Sequence, residues 1–92
     1  MGYVIWPDGV AGDTIRAVYE ELQRARDNFA PFKNGHEGHS VVREEFDEFW
    51  EAVRKGDIDH AKKEALQLAA MAVRFILDVQ GSSTSTTGAP RT

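Results

Sequence analysis

The stretch from Leu66 to Leu77, "LQLAAMAVRFIL", constrains the fold more than any other part of the chain. Advancing roughly 100° per residue, Leu66, Leu68, Ala69, Ala70, Ala72, Val73, Phe75, Ile76 and Leu77 cover most of a helix's circumference. A helix that is apolar nearly all round is buried nearly all round. Three helices of one chain can hardly cover it, so a second copy of the chain is expected to pack against it. The exceptions fall on one narrow stripe: His60, Glu64, Gln67, Arg74 and Asp78, with Met71 among them. Such a stripe needs partners, because unpaired polar groups are costly to bury.

The pattern predicts an all-α protein of three helices. The first is expected over about residues 13–29, with Asp13 as N-cap and an apolar face of Ile15, Val18, Tyr19, Leu22, Ala25 and Phe29. "APFKNG" interrupts it with Pro31 and Gly35. The second is expected over about 37–55, ending before Gly56, a good C-terminal cap. The third is expected over about 58–79, capped by Asp57 or Asp59. The turn between the last two is short enough to force an antiparallel hairpin. Residues 1–80 then form one helical domain, with 1–12 as an N-terminal arm, assembled into a helical-bundle homo-oligomer. The segment "GSSTSTTGAPRT", residues 81–92, is too poor in apolar side chains to offset ordering and reads as a disordered tail.

Composition narrows the function classes. The chain of 92 residues has a net charge of −4, which argues against a nucleic-acid-binding face. It has no cysteine, so disulfide and thiolate chemistry are absent. No secretory signal and no apolar run long enough for a bilayer is visible, and a soluble cytoplasmic protein is the expectation. A small acidic protein can still bind a phosphorylated molecule if a divalent cation inverts the local charge.

The acids of "VVREEFDEFWEAV" (41–53) fall into two sets. Val42, Phe46, Phe49, Trp50 and Val53 share one arc, which is expected to be the core face, and Asp47 and Glu51 point away from it. Glu45 lies at the border of that arc, Glu48 stacks one turn along, and Glu44 is further round towards solvent. In an antiparallel hairpin the early part of the third helix faces the late part of the second. Glu64 and Gln67 are thus expected opposite Glu45 and Glu48. Carboxylates gathered in this way repel unless protonated or bridged, and hard oxygen donors suit Mg2+ or Mn2+. Arg74 and Asp78, four apart, read as an ion pair, although Arg74 could instead neutralise the acids. Lys33, Asn34 and His36 sit where a loop enters a helix, a position suited to phosphate or to an ordinary capping turn. His36 and His39 lack the partners a zinc site would need.

On these residues the chain resembles the MazG-like all-α nucleotide pyrophosphohydrolases. Their signature, E-E-x-x-E on one helix and E-x-x-D on the next, is matched by "EEFDE" (44–48) and by "EALQ" (64–67), except at the last position. The resemblance covers about half the chain. It implies a dimer or tetramer that hydrolyses a nucleoside triphosphate to the monophosphate and pyrophosphate. It implies Glu45, Glu48 and Glu64 as metal ligands, with Glu44 orienting water. Gln67 stands where the family has an aspartate, and its amide oxygen would ligate more weakly. Lys33, His36, Lys63 and Arg74 are candidates for phosphate contacts, and Trp50 for stacking a base. Two alternatives follow from Gln67 and from the apolar third helix: a relative that binds nucleotide without cleaving it, and a helical oligomerisation module.

Overall fold

A computed structural model describes residues 9–79, and these form three α-helices. Helix α1 spans Gly9–Asn28, α2 spans Gly35–Arg54 and α3 spans Ile58–Asp78. The expectations for residues 1–8 and for the tail lie outside the described residues. Helix α1 starts four residues before Asp13, so residues 9–12 are helix rather than arm, and Asp13 is an interior residue, not its cap.

Side chains and one glycine set the other helix ends. The side chain of Asn34 accepts from Glu37 N at 2.9 Å, and the Glu37 carboxylate reaches back to the backbone N–H of Lys33. This reciprocal arrangement satisfies orphan donors at the start of α2. The capping turn, rather than a free amide nest, is therefore what the residues around Asn34 build. At the far end of α2, Gly56 adopts φ +78°, a left-handed conformation open to glycine at little cost. Asp57 then caps α3 by accepting from His60 N at 3.1 Å.

The resulting hairpin is antiparallel: Gly38 faces Phe75 while Glu48 faces Glu64, so positions rise on one helix as they fall on the other. Helix α3 is central. Helix α2 packs along one side of it and α1 along another, and the backbones of α1 and α2 do not approach each other. Leu22 and Ala25 of α1 join Ala70 and Met71 of α3 in one apolar cluster, with Val18, Val41 and Val42 against it.

The core face of α2 is not the one its aromatics suggest. Gly38 and Ala52 are its buried residues, whereas Phe46 and Trp50 are 49% and 52% exposed. Gly38, Glu45 and Ala52 are seven apart and share one line, and so do Ala61, Leu68 and Phe75 on α3. That is the heptad seam of two packed helices. Small residues on it allow close approach: a Cβ added at Gly38 would lie 2.5 Å from the Phe75 ring. Of the expected arc, Val42, Phe49 and Val53 stay half-buried beside this seam while Phe46 and Trp50 face out, and Glu45 sits in the seam's middle. On α3, Ile58, Val73, Ile76 and Leu77 also remain exposed. The described residues do not enclose the third helix.

Four of the seven buried apolar residues (Leu22, Ala25, Phe32, Ala52, Ala61, Ala70, Met71) are alanine. A core this light is at the margin of what one small domain needs. None of the described helices is long and apolar enough to cross a membrane.

Candidate functional site

The hairpin brings three carboxylates together. One oxygen each of Glu45, Glu48 and Glu64 lies within 4.8 Å of the others. Glu45 and Glu64 are half-buried and Glu48 is exposed. Two ligands on one Mg2+, at about 2.1 Å each, are at most about 4.2 Å apart. Only one pair of three ligands can sit on opposite sides of such an ion and neighbours are about 3 Å apart, so the glutamate side chains must draw in by rotation to share one ion. The donor set, all oxygen and acidic, is that of a hard divalent cation.

The electrostatics agree with that geometry. Partial removal from water pushes the Glu45 carboxyl above its ordinary range, and the charges of Glu48, Glu64, Glu44 and Glu21 push it further. Glu48 is raised for the same two reasons, desolvation first and then Glu64, with a carboxyl–carboxyl hydrogen bond to Glu64 adding to it. His60, whose Nε2 lies 3.0 Å from Glu64 Oε2, works in the opposite sense on Glu48. The cluster thus holds more negative charge than the protein's own cations offset.

Gln67 follows one turn after Glu64 on α3. The Glu21 carboxylate on α1 is held below its ordinary range first by hydrogen bonds from Arg24, one of them 3.0 Å from Nε to Oε1, and least by the nearby Gln67 amide. Glu44 is exposed beside the cluster: its charge is felt by both Glu45 and Glu48, but it is not among the converging oxygens.

Two hollows flank the acids. A small one of about 220 Å³ is lined by Glu48, Glu64, His60 and Lys55 among others. A larger groove of about 500 Å³ runs from Glu45 and Gln67 between the three helices towards the α1–α2 loop. Lys33 and Arg74 line that groove, as do Phe29, Phe32 and Met71. His36, Trp50 and Lys63 are exposed and lie outside it.

Arg74 is the most enclosed cation of the described residues. Its side chain is 6% exposed and that of Asp78 is 3%, and Nε donates to Asp78 Oδ2 at 3.1 Å. Nη2 donates to the carbonyl of Ala30 at 2.7 Å, and the guanidinium lies 4.1 Å from the ring centroid of Phe32. Asp78 also accepts from Phe32 N at 3.2 Å. The expected ion pair therefore exists and ties the loop to the end of α3. Sequence reasoning passed over Phe32, Glu21 and Arg24. Glu21 and Arg24, at i and i+3 on α1, could have been marked as a pair, but nothing local shows that they meet Gln67.

No family model matches the chain, and no curated protein or solved structure is significantly similar to it.

Proposed function

We propose that the protein is a Mg2+- or Mn2+-dependent nucleoside triphosphate pyrophosphohydrolase of the MazG-like kind. The observation that carries this reading is the convergence of Glu45, Glu48 and Glu64 from two helices onto one point, bordered by a groove. Solubility alone would not require carboxylates at the middle of a helix seam. The E-E-x-x-E and E-x-x-Q spacing adds the resemblance.

In this reading Glu45, Glu48 and Glu64 hold the ion, with the Gln67 oxygen as a weaker fourth donor. A bound divalent cation supplies neutralisation of phosphate charge and a lowered pKa for coordinated water. Glu44, exposed at the rim, orients the attacking water. The water oxygen would bond to the α-phosphorus as its proton passes to solvent, and the bond from that phosphorus to the bridging oxygen would break, the electron pair leaving with pyrophosphate. The nucleoside monophosphate and pyrophosphate then leave. Lys33 sits where it can contact the substrate, whereas His36, Lys63 and Trp50 play no part in a site built on the groove of one chain.

A homodimer or homotetramer belongs to the same reading. The exposed Phe46 and Trp50 on α2, and Ile58, Ile76 and Leu77 on α3, are apolar surface that a second copy would cover. One feature favours a second reading, a protein that binds nucleotide without cleaving it. Gln67 brings no charge where an aspartate would.

The deciding assay incubates the protein with a panel of nucleoside triphosphates and Mg2+ or Mn2+ and measures pyrophosphate. Release that is lost in Glu48→Gln supports the enzyme, and Gln67→Asp should equal or exceed the wild type. Binding without release supports the second reading. Neither binding nor release would sink both.

A further inference from the structure

The groove ends at a cation whose hydrogen-bonding capacity is not used up. Arginine offers two N–H donors on each terminal nitrogen. Arg74 commits Nε to Asp78 and Nη2 to the Ala30 carbonyl, but the one contact of Nη1 is the sulfur of Met71 at 3.7 Å. A thioether is a weak acceptor. A donor this deeply enclosed is normally matched by an oxygen or a ring nitrogen. Lys33 lines the same groove, and its ammonium makes no ion pair or hydrogen bond among the described residues. Of the other charged groups of the groove, Arg24 is occupied by Glu21 and Glu37 by the cap of α2, while Glu45 lies at the far end with the acids. The uncommitted polar groups at this end are therefore donors, set among the apolar faces of Phe29, Pro31, Val41 and Met71.

Position adds the second half of the argument. Arg74 is seven residues beyond Gln67 on the same helix, about 10 Å along its axis. That is the span from an α-phosphate to the far edge of its base. We propose that the loop end of the groove is a base-reading subsite in which Arg74 Nη1 and Lys33 donate to a carbonyl oxygen of the base. The substrate is then a nucleotide whose base carries a carbonyl where adenine and cytosine carry an amino group, that is uracil, thymine or guanine, and adenine is rejected. Adenine presents an exocyclic amino donor where those bases present an acceptor, and a donor facing a guanidinium is repelled. Arg74 here is a specificity-determining residue, held in place by Asp78 and Phe32. The inference rests on the nucleotide reading above and names its substrate.

The test is calorimetric binding of non-hydrolysable α,β-methylene analogues of UTP, dTTP, GTP and ATP to the full chain with Mg2+. Wild type should bind the keto-base analogues at least roughly tenfold more tightly than the ATP analogue. Lys33→Ala and Arg74→Lys should narrow that ratio to within about threefold, chiefly by weakening the keto-base analogues. Circular dichroism checks that Arg74→Lys is folded. If it is not, Lys33→Ala and Phe29→Ala, both at exposed positions, carry the comparison. Equal binding of all four analogues, or a preference unchanged in the variants, overturns the base-reading subsite and leaves the nucleotide reading standing. Failure of every analogue to bind overturns both.

Discussion

The two ends of the α2–α3 hairpin solve the problem of polar groups at a helix seam in opposite ways. At the loop end, Arg74 and Asp78 are nearly inaccessible, yet each charge has its counter-charge, and the backbone of Ala30 and Phe32 takes further hydrogen bonds. At the other end, Glu45, Glu48 and Glu64 converge with His60 as the one nearby basic side chain in contact. The first arrangement is balanced in charge and works as a clasp, with Arg74 Nη1 alone left without an oxygen partner. The second repels itself and is complete once a cation is supplied. One polar stripe on α3 therefore carries a structural device and a candidate site, about three turns apart.

Breaking the clasp should give the largest effect. Arg74→Met leaves the Asp78 carboxylate buried without its partner, which costs about 3–5 kcal/mol in such settings. The loss should appear as a fall in the urea midpoint with little change in its slope. Arg74→Met combined with Asp78→Asn should recover part of it, because no buried charge is then left uncompensated. A single variant as stable as wild type would show that the clasp holds nothing.

The acidic end should respond in the other direction, to addition rather than removal. At a hundred times its dissociation constant, Mn2+ should stabilise the fold by about 2.7 kcal/mol. The double variant Glu45→Gln/Glu64→Gln should show no such gain in thermal melting. An equal gain in both proteins would mean that the ion binds elsewhere.

Close to the clasp, the seam itself can be tested at Gly38. A side chain there runs into the ring of Phe75 and then that of Phe32, with contacts of 2.5 and 3.2 Å already for a bare Cβ. Gly38→Val should cost roughly 2 kcal/mol through overpacking, read from the same denaturant titration. If it is instead neutral, the rings have room to turn and the close approach of α2 to α3 is not what fixes the hairpin.

Local chemistry made much of this legible in the sequence. Asp57, Gly56 and the short turn define the hairpin, and the hairpin alone brings Glu64 opposite Glu45 and Glu48. The polar stripe of α3 was visible because from Ala65 to Leu77 every position off it is apolar. What misled was the aromatic arc of α2. Phe46 and Trp50 look like core because they are large, but the seam is built from small residues, Gly38, Ala52 and Ala61, whose value lies in how closely they let backbones approach. Size is easy to read and closeness is not. The start of α1 at Gly9 was hidden because Gly9 and Gly12 are poor helix formers, and Asp13 offers a cap directly before the periodic apolar face. The link from Glu21 to Gln67 depends on how α1 lies across α3, which no local spacing encodes.

The smallest expected effect concerns protons at the acidic end. The carboxyls of Glu45 and Glu48 are raised in the folded protein from the ordinary glutamate value near 4.5. Between that value and the raised ones, the folded state holds protons that the unfolded state has released. Stability therefore falls as pH rises through this window, and the penalty is complete above the raised values. Glu21 and Glu51, both lowered by arginine partners, act oppositely: their contribution is present above the ordinary value and fades as pH falls below it. Metal-free protein should thus be most stable near the lower edge of the window. Glu48→Gln removes one of the converging charges, so it should melt above wild type at neutral pH and lose less stability between pH 5 and 7. Because Glu48 is exposed, solvent screening keeps the difference small. Thermal melts of both proteins in EDTA across that range check the sign. A wild type that gains stability steadily from pH 5 to 7 would mean that the three carboxylates do not repel, and that the contrast between the two ends of the hairpin is one of position alone.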